Sequence, residues 1–211
     1  MIIGIDAEVL SYNRTGIGEY LYQIIKRLNI IDNENKYILY SNNELKLDFN
    51  LNKNWKIELY KCKHLATWRY LNLPKLLKKD EVEVFWGPRF YLPRRCKNIT
   101  YISTVHDLIV EKFPETRQSK KEILMHKFFM KSVCRSAKTI IADSKSTKND
   151  LMEFYNIKKE KIKVIYLGNN KVEERKIEEN KISEIEKKFD ISERHRIYFF
   201  YKHNRTKKEC K

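Results

Sequence analysis

The 211-residue chain is 42% hydrophobic and carries 13 Tyr and 10 Phe, which excludes a largely disordered polymer and provides for a real core. No apolar run approaches the ~20 residues that span a bilayer, and the N-terminus enters a strand without the basic and long apolar segments of a secretory leader. A formal charge of +16 invites nucleic acid or an anionic membrane as partner, yet Lys recurs throughout rather than in one block, as AT-rich coding would produce, so charge alone decides neither.

In chain order, a short apolar strand (Ile2-Ile3-Gly4-Ile5) ends in Asp6-Ala7, and an amphipathic helix opens through Gly16-Ile17-Gly18 and runs to Leu28. KYILYS (36–41) is the next expected strand, a polar stretch follows over 42–54, and WKIELY (55–60) alternates as a third. Residues 65–79 have helical spacing, with Pro74 expected to kink or shorten the helix. Val82–Trp86 is a brief strand that runs into Gly87-Pro88-Arg89, a loop signal.

TYISTV (100–105) predicts a strand that delivers His106-Asp107 at its end. A helix over 119–136, a strand over 138–142, a helix to Tyr155 capped by Ser144 or Ser146, and a strand over 161–166 complete the series. Strands alternating with helices imply an α/β fold, a Rossmann-like doubly wound parallel sheet, because parallel neighbours need crossover connections. Residues 1–170 read as one such domain and 171–195 as a charged linker with a short helix. Cys62, Cys96, Cys134 and Cys210 form no C-x-x-C pair, so neither structural zinc nor a disulfide framework is expected, and no metal site is assigned.

Ligands of such a sheet bind at the C-terminal ends of its strands. The Gly16-Ile17-Gly18 turn lies there and offers unpaired helix N–H groups to a phosphate, or is simply a tight turn. It fails as a dinucleotide fingerprint: the third glycine is missing, since Tyr20 and Leu21 follow Glu19, and KYILYS ends in Ser41-Asn42 rather than in an acid for the ribose. His106, with Asp107, is the candidate for chemistry, the competing reading being a histidine hydrogen-bonded at a strand end. Ser144, Ser146 and Thr147 read as helix caps before ligand contacts. The aromatic and basic loop with Arg89, Tyr91, Arg94 and Arg95 reads either as an acceptor- or membrane-facing loop or as a packed loop with solvated charge.

Taken in order, GIDA (4–7), NRTGIGEY (13–20), VFWGPRFYLPRR (84–95), TVHDL (104–108), FPET (113–116), ADSKSTKNDL (142–151) and KIKVIYLG (161–168) resemble the N-terminal half of family-4 glycosyltransferases. The resemblance implies the N-terminal half of a GT-B fold, two Rossmann-like domains facing a cleft, and retaining transfer of a sugar from a nucleotide-sugar donor to a glycan or lipid-linked acceptor. It places Gly16 and Gly18 near the donor diphosphate and His106 near the transferred sugar. The donor is a substrate, so no cofactor is implied. The expected setting is polysaccharide assembly in a bacterium, in the cytoplasm and peripheral on the inner face of an anionic membrane, with nucleic acid the weaker partner. The alternative is a stand-alone basic module for nucleic acid or anionic membrane.

The same resemblance makes RIYFFY (196–201) the first strand of a donor-binding domain, after which the family continues with Glu-Pro-Arg-Lys-Asn. The chain instead reads KHNRTKKECK (202–211). One allowed codon set for this stretch, shifted forward by one base, encodes Ile-Ser-Thr-Ile-Glu-Pro-Arg-Lys-Asn-Val. The expectation is an out-of-frame tail, and a chain that transfers sugar slowly or not at all by itself. Resequencing the locus and finding no such shifted frame would remove that expectation.

Overall fold

Seven β-branched and aromatic segments form one fully parallel sheet: β1 (Ile2–Asp6), β2 (Lys36–Ser41), β3 (Trp55–Leu59), β4 (Val84–Gly87), β5 (Thr100–Val105), β6 (Thr139–Ala142) and β7 (Ile162–Val164), in the order β3-β2-β1-β4-β5-β6-β7. This is the α/β, Rossmann-like sheet expected of the N-terminal half of a GT-B fold. The computed structural model describes residues 1–116 and 119–168, which lie within one compact unit, Met1–Gly168; the expectations for 171–195 and 196–211 fall outside the described residues.

Both sheet faces are covered, so the strands are apolar on both sides, and alternate residues serve two cores. Ile5, Tyr37, Leu39 and Trp86 point to one, against α1 (Gly16–Ile31), which buries Leu21, Tyr22 and Ile25. Tyr40, Phe85, Tyr101, Val105 and Ile140 point to the other. That second face is covered by α2 (Leu65–Thr67), α3 (Leu73–Lys79), α4 (Ile109–Lys112), α5 (Lys120–Ser136) and α6 (Lys145–Tyr155), whose buried residues include Leu77, Met130, Val133 and Leu151. Ser119 caps α5 through its side chain and Ser144 caps α6, the first of the two serines proposed for that cap.

The 65–79 helix is interrupted, but not where proline would break it. A π-helical segment, Trp68–Asn72, precedes α3, and Pro74 sits in the first turn of α3, where its missing N–H costs nothing. The π segment buries Trp68 and carries Arg69. Gly4 is required by close packing: a Cβ there would lie 2.9 Å from the Tyr40 ring.

The chain steps from β1 outward to β2 and β3, then returns to the other side of β1 to place β4. The switch point therefore lies between β1 and β4, and a crevice opens outside their C-terminal ends. From β4 to β5 the chain crosses back without a helix. Residues 88–99 make the return as irregular backbone pressed on the sheet, which buries Tyr91, Leu92 and Cys96.

Candidate active site

Three strand ends bring the predicted His106 into a hydrogen-bonded group. His106 follows β5; its Nδ1 is 2.8 Å from Oδ2 of Asp143, just after β6, and its Nε2 is 3.0 Å from the carbonyl of Pro88, just after β4. Both neighbours accept, so a neutral ring donates to one of them and only the imidazolium donates to both. Tyr20, in the first turns of α1, meets the imidazole edge to face at 4.9 Å between centroids. The Trp86 indole N–H donates to Thr104 Oγ1 at 3.0 Å, and the Tyr20 hydroxyl is 3.3 Å from the same oxygen. Burial raises the pKa of Tyr20, the Thr104 bond opposes this, and the charge of Asp143 adds to the rise.

The backbone of His106 is fixed from below. Thr147 Oγ1 donates to the His106 carbonyl at 2.8 Å, so the Ser144 hydroxyl donates to Thr147 Oγ1 and accepts from the Thr147 N–H at 2.9 Å. Thr147 is thus a buried support for His106, Ser144 is a cap, and Ser146 is exposed. Asp107 does not join the histidine: its carboxylate caps the next turn by accepting from the Ile109 N–H at 3.1 Å.

Gly16 opens α1, and a Cβ built on it meets nothing within 4 Å; Gly18 is buried beside the Val9 carbonyl, and neither glycine has positive φ. Ile17 is half-buried between them. The chain's own sterics leave open space at Gly16, and the positive end of a 16-residue helix faces it. A cavity of about 820 Å³ adjoins this loop at the ends of β2 and β3, lined by Ser11, Tyr12, Asn42, Lys46, Lys61 and Lys63. It does not include His106.

The switch-point crevice itself is filled by a network that sequence reading missed. Arg89 donates to Glu8 Oε2 at 2.6 Å and to the Tyr91 hydroxyl at 3.0 Å, and Tyr91 donates to Asp6. Arg69, from the π segment, packs its guanidinium 3.6 Å from the Tyr91 ring centroid and 3.6 Å from Glu8 Oε2. Two carboxylates and two guanidiniums balance, and Asp6, Glu8 and Tyr91 are at most 3% exposed. Burial works against the charge of Arg89, but Asp6, Tyr91 and Glu8 outweigh it and hold its pKa above the ordinary value. Burial and then Asp6 push the Tyr91 phenol well up.

Arg89 and Tyr91 are therefore turned inward, so of the two readings of that loop these residues take the packed one. The helix-free return to β5 is the physical reason: the loop must itself cover the sheet. Arg94 and Arg95 are exposed. The hint available in the sequence was Asp6-Ala7-Glu8, two acids directly after an apolar strand, which need cations once buried.

A second buried cluster sits behind His106. Glu111 Oε1 accepts from His126 Nδ1 at 3.1 Å and from the Tyr155 hydroxyl, joining α4, α5 and the end of α6. Burial raises the Glu111 pKa, but the His126 and Tyr155 bonds outweigh it and hold the carboxyl below the usual range. Burial pushes the nearby Cys134 thiol up to about 11. Among the described residues no three of His, Cys, Asp and Glu converge as a metal set, and no helix is long and apolar enough to cross a membrane.

Comparison with known proteins agrees with this architecture. The family model Glycosyltransferase Family 4 matches residues 15–170. The O-antigen chain mannosyltransferase B of Escherichia coli is 24% identical over 175 residues, a match that covers 74% of this chain and 44% of that protein. The chain thus spans less than half the length of this curated relative. Among solved structures, the wall teichoic acid polymerase TagF superposes with a TM-score of 0.51 at 13% identity, covering 89% of this chain and 43% of the polymerase, a likeness of fold. A glycosyltransferase from Rickettsia africae ESF-5 is 18% identical, with a TM-score of 0.45, over 92% of this chain and 50% of its own.

Proposed function

The chain belongs to glycosyltransferase family 4, and from that membership we propose that it forms the acceptor-side half of a retaining transferase. The enzyme would move a sugar from a nucleotide-sugar donor to a glycan or lipid-linked acceptor in cell-surface polysaccharide assembly. The observation that carries this reading is His106, held by Asp143 and Pro88 beside the open N-terminus of α1. The first N–H groups of α1 favour the donor diphosphate and stabilise charge as it departs.

His106 acts as a positioning group for the sugar. To donate to a hydroxyl, Nε2 exchanges its bond to Pro88 for one to the ligand; with Asp143 also accepting from Nδ1–H the ring is then the imidazolium, whose charge Asp143 balances. Retention then depends on donor and acceptor alignment more than on a protein nucleophile. The lysine-bearing cavity beside Tyr12 suits an anionic acceptor, such as a glycan on a lipid phosphate. No cofactor enters this reading. The protein works in the cytoplasm, at the inner face of a membrane.

In such enzymes donor grip belongs to a second Rossmann-like domain, so the domain described here is expected to hold the acceptor more firmly than the nucleotide. Saturation-transfer NMR with glycan acceptors and nucleotide sugars tests the reading. Glycan signals that weaken in His106→Ala, with only weak nucleotide signals, support it. No transfer to any sugar, with tight and steeply salt-dependent binding of duplex DNA, would favour the basic binding module instead.

A further inference from the structure

β3 stands at one end of the strand order, and among the described residues no strand lies beyond it. The Asn54 carbonyl accepts from the Tyr37 N–H and the Tyr60 N–H donates to Ser41, so the even-numbered residues of this segment bond to β2. The backbone groups of Ile57 and Leu59 and the carbonyl of Trp55 therefore turn outward, while the Trp55 N–H is taken by Asn52 in the preceding turn. Edge strands are ordinarily blunted by proline, a bulge or an unmatched lysine. β3 is five residues without proline, it pairs with β2 in unbroken register, and its one lysine, Lys56, lies 2.6 Å from Glu58. On the other side of the strand Ile57 and Leu59 are 43% and 38% exposed, in line with the buried Trp55.

We propose that this border is a homodimer interface, in which β3 pairs antiparallel with β3 of a second copy across a two-fold axis at Ile57 and joins the two sheets into one. The strand selects that occupant because WKIEL complements its own reverse. On one face Lys56 comes opposite the partner's Glu58, and Glu58 opposite the partner's Lys56. On the other, Ile57 meets the partner's Ile57, and Trp55 meets the partner's Leu59. The backbone agrees with the side chains. The residues that turn outward are the ones this register joins, with a reciprocal pair of bonds between the two Ile57 residues and one from each Leu59 N–H to the partner's Trp55 carbonyl. The neighbouring registers that also join outward groups set Lys56 against itself or Glu58 against itself, and like charges directly opposite are unfavourable. Because the two copies run in opposite directions, the edges that carry His106 face opposite ways and neither copy covers the other's crevice. The pairing is independent of the transfer reading.

Sedimentation equilibrium of the purified 211-residue chain, without any sugar, tests it at about 0.15 M salt, where the +16 charges on the two copies are screened beyond about 8 Å. A reversible dimer is expected. Ile57→Lys sets two ammonium groups at the axis and raises the dissociation constant by about tenfold or more. Lys56→Glu and Glu58→Lys each set like charge against like and raise it by about tenfold. Mixed together, those two variants form a heterodimer, since each offers the other opposite charges at both pairs. Lys131→Glu, the same charge change on an exposed side of α5, leaves the native constant within about twofold. Urea midpoints check that each variant folds.

A native chain that stays monomeric at about 0.3 mM would overturn the proposal, because even a small specific interface associates there. So would a dimer that Ile57→Lys leaves intact, one that Lys131→Glu weakens equally, or charge variants that associate no better mixed than alone. Should the charge variants unfold, Ile57→Lys decides by itself, since its new side chain reaches solvent in the monomer. Failure here leaves the NMR test of sugar binding standing, and failure there leaves this one.

Discussion

Two groups of polar side chains stand at the same edge of the sheet, and they are built on opposite terms. The network of Asp6, Glu8, Arg69, Arg89 and Tyr91 is closed: its charges cancel, its carboxylates are at most 3% exposed, and its partners come from β1 and the turn after it, the π segment and the 88–99 return. The His106 group is open: its side chains are about as exposed as the guanidiniums of the network, but one imidazole partner is a backbone carbonyl that a ligand can replace. The closed network occupies the crevice where the topology would seat a ligand, and the open group lies one strand further along. Position at a switch point is therefore not enough to name a site; exchangeable hydrogen bonds are the better guide.

That contrast can be broken by mutation. The largest effect is expected from Glu8→Ala, which strips two half-buried guanidiniums of a shared, buried carboxylate and should cost about 3 kcal/mol of stability in urea unfolding. A cost under 1 kcal/mol would mean that the network is not closed. Gly87→Ala comes next: its Cβ would lie 2.8 Å from the Tyr91 carbonyl, so the return loop must shift, at about 1–3 kcal/mol. Thr147→Val removes the donor to the His106 carbonyl and is expected to cost about 1–2 kcal/mol while weakening glycan signals in saturation-transfer NMR.

His106→Ala sharpens the comparison from the other side. Stability is expected to change by no more than about 1 kcal/mol, while the saturation-transfer signals of the glycan disappear; a cost like that of Glu8→Ala would make His106 a structural residue. The smallest effect is a slope. The Glu111 pKa is lower folded than unfolded, so its contribution is full above the unfolded value of ~4.3 and fades as pH falls through the folded one. Urea midpoints followed from pH 6 to pH 3 should fall less steeply in Glu111→Gln than in the native chain.

Much of the fold was legible because its signals are local. KYILYS and TYISTV form strands with the expected bounds, and Ser144 caps its helix, since alternation and capping are written within a few residues. His106 was readable as a candidate from its place at a strand end. Asp143 was not, because it reaches His106 only after β6 pairs with β5, 37 positions later. Tyr20 looked like a mere departure from a glycine pattern, yet it packs on the imidazole. Arg89 and Tyr91 were left between an outward-facing and a packed reading because their exposure depends on a crossover without a helix, which composition does not announce.

The switch point between β1 and β4 also governs how the chain is made. β1 gains its first neighbour from β2, but its second waits for β4, whose register with it spans 81 positions. At ribosomal rates of 5–20 residues per second, that interval lasts roughly 4–16 s. Through it, β1, an interior strand of the finished sheet, keeps one edge as an unpaired apolar border on a growing nascent chain. Chaperone demand during synthesis should peak before residue 87 emerges and fall once β4 seals that border.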